Sequence, residues 1–147
     1  MSQTPNIGSL TGVWTYRSFN NDPNLSTPYD QYLFGSGYIT INDAPMGVFQ
    51  GNIGDTGWML ELNGSTNTGY PYVLRFQGKG VVNGEEWIYD YLGFVNPPWP
   101  NGINQVPSIV GTIVRTIPHS SGSGKKSPVN PAGVTASWIA VWKGPLA

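Results

Sequence analysis

Cysteine is absent from the chain, histidine occurs once, and charged residues make up only 10% of the total. Without cysteine, neither disulfides nor thiolate chemistry can contribute. His119 is the lone imidazole, so no His/Cys zinc site can form and no metal or cofactor is expected. A Ser-His-Asp triad would depend on the same residue. It lies in a segment rich in Ser, Gly, Lys and Pro where nothing holds a ring in register, so His119 is expected to be solvated. Seven basic residues against eight acidic ones set up no field that would gather nucleic acid phosphates. No run approaches the roughly 20 apolar residues of a membrane helix. Met1 to Gly8 has neither the basic start nor the apolar stretch of a signal peptide. A cytoplasmic protein without nucleic acid or membrane partners is the expectation.

What the chain does contain is turns and large side chains. Its 147 residues suit one domain and include 20 Gly, 13 Pro and 13% aromatics. Strand candidates run over Leu10 to Phe19, Tyr38 to Asn42, Met46 to Ile53, Trp58 to Leu62 and Tyr70 to Gln77. Three more cover Glu85 to Val95, Ser108 to Ile117 and Ala132 to Lys143. Asn63-Gly64 with the Ser/Thr/Asn stretch after it reads as a loop, and Gly78, Gly80, Asn83 and Gly84 as further punctuation. Flexible loops are expected near residues 20–35, 96–105 and 118–131. Gly122 to Ser127 superficially suggests a phosphate-binding loop, but the glycine-lysine spacing fails and no helix follows. About eight strands without a helical period predict an eight-stranded antiparallel up-and-down barrel. The alternative is a two-sheet β-sandwich.

Several strands are apolar on both faces. In Glu85 to Val95 one face carries Trp87, Tyr89 and Tyr91, and the other carries Ile88, Asp90, Leu92 and Phe94. In the last strand Trp138 and Trp142 share a face with Ala136 and Ala140, opposite Ile139 and Val141. Two buried faces per strand, with so little charge to keep copies apart, make subunit contact in a homo-oligomer the economical explanation; aromatics that merely pack the barrel base are the alternative. Charges inside strands need a partner or a use. Arg17, Glu61, Arg75, Asp90 and Arg115 are such charges, and an Arg75–Glu61 cross-strand pair is expected. Arg75 or Arg115 inside a cavity would hold a ligand carboxylate bidentately. Asp90, between Ile88 and Leu92 on its face, is the candidate perturbed carboxylate. Glu86 and Asp90 share a face but stand roughly 13 Å apart along the strand, too far for a glycosidase pair.

The opening Leu10-Thr11-Gly12-Val13-Trp14, the strand Gly57-Trp58-Met59-Leu60 and the closing Trp138-Ile139-Ala140-Val141-Trp142-Lys143 resemble the calycin group, and within it the avidin and streptavidin type. The resemblance implies an eight-stranded meander, often tetrameric, with an aromatic cavity at one barrel mouth. It does not extend to the polar residues that would hold a ureido group, so biotin binding is not implied. Trp14 is expected to plug the barrel base.

A barrel of eight strands has room inside for one small ligand. The leading expectation is a cavity for a small, largely apolar or aromatic molecule, drawing on Tyr38, Trp58, Tyr72, Trp87, Tyr89 and Tyr91 with Arg75, Arg115 or Asp90 as polar anchors. A second is a cyclase or isomerase in the same barrel, with Asp90, Glu61 or a tyrosine as its acid or base. A third is carbohydrate recognition by Trp99 with Asn101, Gly102 and Asn104. A purely structural oligomer completes the set.

Overall fold

In strand β1 (Gly12–Asn20) Trp14, Tyr16 and Ser18 are buried on one face, while Val13, Thr15 and Arg17 alternate with them on the other. This period of two repeats around the molecule. The computed structural model describes residues 9–120 and 129–146. The remaining strands are β2 (Leu33–Ile41), β3 (Val48–Asp55), β4 (Trp58–Asn67), β5 (Val73–Val82), β6 (Glu85–Val95) and β7 (Ser108–Arg115). They are followed by the short β8 (His119–Ser120) and β9 (Val129–Asn130), and then by β10 (Thr135–Gly144). Seven consecutive antiparallel strands and β10 form a closed barrel in meander order, with β1 paired to both β2 and β10. Thr15 lies opposite Tyr38 on one side and Val141 on the other. The sandwich alternative is thereby set aside, since closure leaves no sheet edge. No helix among the described residues is long and apolar enough to cross a membrane.

Strands run further than the punctuation residues suggest. Gly64, expected in a loop, sits inside β4, and a Cβ there would stand 2.0 Å from the Arg75 carbonyl oxygen. Glycine at this position lets two strands approach closely rather than ending one. Gly78 and Gly80 likewise lie within β5. Asn83 and Gly84, by contrast, do form a turn, both with positive φ, joining β5 to β6 as a tight hairpin. The loop expected over 20–35 gives way to β2 at Leu33. The loop expected over 118–131 is part ribbon, because β8 pairs with β9; the Gly122 to Ser127 motif lies outside the described residues, as does Met1 to Gly8.

At the end where β1 begins, Trp14 plugs the barrel axis. Trp14 is fully buried and its Nε1 donates to the Leu10 carbonyl at 2.9 Å. Gly12 beside it could carry no side chain, since a Cβ would meet the Gly144 carbonyl oxygen and Trp142 Nε1 at 2.7 Å. Across the middle, Phe49, Phe76 and Tyr91 stack with ring centroids 4.3 and 4.7 Å apart. Trp138 meets Phe76 and Tyr91 edge-on at 5.9 and 6.0 Å. Above this layer the interior is not filled.

On the outer face the expected Arg75–Glu61 pair does not form. Register places Glu61 opposite Lys79 and Arg75 opposite Ser65, so the two lie four positions apart along the ladder. The ion pair among the described residues is Lys79–Glu86 at 3.6 Å, with both side chains about half exposed.

Candidate functional site

At the mouth formed by the C-terminal end of β1, the β3–β4 turn and the β5–β6 turn, a cavity of about 330 Å³ opens into the barrel. Tyr16 and Ser18 reach it because they continue the inward face begun by Trp14. A β-bulge where Ser18 faces Gly35 and Phe19 faces Leu33 leaves Phe34 as the extra residue and aims its ring at the mouth. Trp58 and Leu60 enter from β4, and Trp87, Tyr89 and Tyr91 from β6.

Behind the Tyr89 and Phe34 rings lies a polar cluster. His119, expected in solvent, is buried on β8, where Trp87 stacks on its ring at 4.0 Å and Tyr89 Oη stands 2.7 Å from its Nε2. The composition of its segment suggested mobility, but pairing of β8 with β9 holds the ring against β6. His119 Nδ1 lies 2.8 Å from the Ser120 carbonyl oxygen. A carbonyl only accepts, so Nδ1 carries the proton and, in the neutral ring, Nε2 accepts from the Tyr89 hydroxyl. Arg115 Nε donates to Tyr89 Oη at 3.3 Å, and its Nη1 donates to the Pro131 carbonyl at 3.2 Å. The Arg115 guanidinium sits 5.3 Å from the Phe34 ring centroid and 5.8 Å from that of Tyr89. Glu85 accepts from both the backbone N–H and the hydroxyl of Ser120, which fixes β8 to the start of β6.

Burial sets the protonation of this region. It raises the Tyr89 phenol above its ordinary value, against an opposing hydrogen bond and positive charge from Arg115. It raises Tyr16 against hydrogen bonds from Ser18 and Tyr91, and raises Tyr91 further, with the neighbouring phenols adding to the effect. All three are neutral hydroxyls at pH 7. Burial lowers His119 below 6.5; the Ser120 carbonyl and Glu85 pull upwards, and Arg115 pushes further down.

The lowered His119 value has a consequence for stability. The unfolded chain takes up its proton first as pH falls, so the contribution of neutral His119 is complete above pH 6.5 and is lost as pH drops through the folded value. This is the only histidine in the chain, and the ordinary carboxylate range lies lower. Melting temperature will therefore fall between pH 7.5 and 5.5 in the wild type and fall less in His119→Phe, which keeps a ring against Trp87. Parallel pH profiles for the two proteins would contradict this.

Of the residues singled out from sequence, Trp58, Trp87, Tyr89 and Tyr91 meet in the cavity wall, and Arg115 is buried directly behind it. The others are elsewhere. Tyr38 faces outward, 45% exposed beneath Lys143, because the inward positions of β2 are Gly37, Ile39 and Ile41. Arg75, Asp90 and Glu61 are exposed on the outside, on the face opposite Phe76, Tyr91 and Leu60 respectively, so neither carboxylate can act in the cavity. Tyr72 is buried at the opposite end of the barrel. Trp99 also lies at that end, 77% exposed in a loop braced by Gln105, whose side chain bonds both the N–H and the carbonyl of Trp99. Sequence reasoning missed Tyr16 and Ser18, although their spacing from Trp14 placed them on its face. It also missed Phe34, whose orientation depends on a bulge. Among the described residues no three of His, Cys, Asp or Glu come together to hold a metal ion. No family model, curated protein or solved structure matches the chain.

Proposed function

We propose that the barrel binds a small, largely apolar and aromatic molecule in its mouth cavity. The observation that carries this reading is where the packing stops. Aromatic rings fill the barrel axis from Trp14 to the Phe49–Phe76–Tyr91 layer, and above it about 330 Å³ is left open between Phe34, Trp58, Leu60, Trp87 and Tyr89. The space of about 360 Å³ at the other end is lined largely by residues 42–48 at the β2–β3 loop, with Phe49 and Tyr72 as its aromatic residues. Interiors are otherwise packed to crystal-like density, so space of this size, walled by rings and edged by hydroxyls, matches ligand sites better than a packing defect. The aromatic mouth expected from the avidin-like resemblance supports the same reading. The enzyme alternative has lost both of its carboxylates to the outer surface and would rest on a cavity tyrosine, while burial holds Tyr16, Tyr89 and Tyr91 as neutral phenols.

N-phenyl-1-naphthylamine, a neutral aromatic reporter, is a direct probe. It will bind saturably, with enhanced emission, and will raise the melting temperature as occupancy grows. Gly35→Trp, at an inward-facing position of the cavity wall where a Cβ meets only the Ser18 hydroxyl at 3.4 Å, will fill the mouth and abolish both effects. Non-saturable emission, or binding indifferent to Gly35→Trp, would sink the proposal.

A further inference from the structure

Resting on that reading, we infer that the molecule taken by the cavity is an acid, and that its carboxylate is received by Arg115 and by the indole N–H of Trp87. Two independent deficits on the same flank of the cavity point there.

The first is charge. Arg115 is 7% exposed, yet no carboxylate lies within 4.0 Å of its guanidinium among the described residues, whose ion pair is Lys79–Glu86. All eight Asp and Glu residues fall within the described ones, so the rest of the sequence has no side-chain carboxylate to offer. The carboxylate of Glu85, which acts on His119 in the same cluster, is already engaged by Ser120. Tyr89 supplies a neutral oxygen and, with Phe34, a ring face. These soften the desolvation of the cation without neutralising it. A guanidinium has five N–H groups, and protein acceptors take one at Nε and one at Nη1, leaving three without a protein acceptor among the described residues. A planar fork with free donors suits a carboxylate geometrically.

The second deficit is a hydrogen bond. Trp87 Nε1 is buried and has no acceptor among the described residues, although buried indole N–H groups ordinarily have one. Trp87 lines the cavity and stacks on His119, which is bonded through Tyr89 to Arg115. An acidic ligand supplies at once the negative charge that Arg115 lacks and the acceptor oxygen that Trp87 lacks. Trp142 Nε1, also without an acceptor, is a different case. It packs beneath the Gly12 backbone, away from the cavity.

Calorimetric titration with 2-naphthoate and with 2-naphthamide, which share one ring system and differ in charge, tests this. The expected result is at least tenfold tighter binding of the naphthoate by the wild type at pH 7.5. In Arg115→Met the naphthoate will weaken to the level of the amide while the amide is unchanged. In Trp87→Phe, which keeps the stack on His119, the gap will narrow. Should Arg115→Met fail to fold, Arg115→Lys serves in its place: it keeps the charge, loses the planar fork and will reduce the gap. Saturable binding of both probes with equal affinity would overturn the acid inference and leave the cavity reading standing. Binding of neither would overturn both. A full preference retained in folded Arg115→Met would overturn the role of Arg115.

Discussion

Trp138→Ala will cost the fold about 3–5 kcal/mol, a large share of the roughly 5–15 kcal/mol by which a domain of this size is stable. Trp138 is 2% exposed, and its ring lies 6.1 Å from Tyr16, 5.9 Å from Phe76 and 6.0 Å from Tyr91. Its Nε1 donates to the Thr112 carbonyl at 2.9 Å, tying β10 to β7 by a side chain as well as by the ladder. The indole fits over two glycines paired across β6 and β7, Gly93 and Gly111; a Cβ at Gly93 would meet it at 2.7 Å. Removing the indole leaves a hole with backbone for its floor. Backbone held in a ladder cannot collapse into the space, so the cavity penalty adds to the transfer term. Urea unfolding followed by far-ultraviolet circular dichroism measures the loss without relying on tryptophan fluorescence. Trp138→Phe, which keeps a ring against Tyr91 and gives up the hydrogen bond, will cost less. A loss below about 1 kcal/mol in Trp138→Ala would show that the aromatic layer is not continuous.

The order of strands and the inward faces of several of them are legible in the sequence, because alternation in a strand is local and survives every tertiary context. Trp87, Tyr89 and Tyr91 fall together on spacing alone, and they stand together in the cavity wall. Which face points inward is harder to read. On β6 the opposite face also carries Ile88, Leu92 and Phe94, so Asp90 looks like a cavity residue although parity sets it against Tyr91. Only the ladder resolves that, by committing the aromatic face to the Phe76 stack. Glycine is the least legible residue. Its sequence signature is the same whether it ends a strand, as at Gly84, or lets two strands touch, as at Gly64. The burial of His119 is hidden for a similar reason. Composition describes its neighbours correctly as small and polar, but the contacts that bury it come from Trp87 and Tyr89, 30 or more positions away, with Glu85 holding the adjoining Ser120. Arg115 is legible as a strand charge needing a partner. That no acidic residue supplies one depends on where all the carboxylates lie, which no local pattern reveals.

Gly111→Ala, a change of one methyl group, is expected to be the most damaging small substitution in the barrel. A Cβ at this position would stand 1.8 Å from the Leu92 carbonyl oxygen and 2.8 Å from the Gly93 Cα. Neither atom belongs to a side chain that can swing aside. Both are backbone of β6, held in register with β7 from Tyr89 opposite Arg115 to Val95 opposite Ile109. The strands must separate locally or slip. A slip of one residue would turn Ile109 and Ile113 out of the core and Arg115 away from Tyr89. Local separation is the cheaper response, and its cost sits at or above the ~1–3 kcal/mol typical of overpacked cores, because the strain falls on hydrogen-bonded backbone. It also reaches the cavity, since β6 bears Trp87, Tyr89 and Tyr91 while β7 bears Ile113. Hydrogen exchange will show faster amides on both strands around residues 92 and 111, and the urea midpoint will drop. Gly144→Ala is the matched control: a Cβ there meets nothing within 4 Å and the backbone φ is not positive, so stability should change by no more than about 0.5 kcal/mol. If Gly111→Ala proved as stable as Gly144→Ala, the close approach of β6 and β7 beneath Trp138 would be wrong, and with it the slot on which the aromatic layer rests.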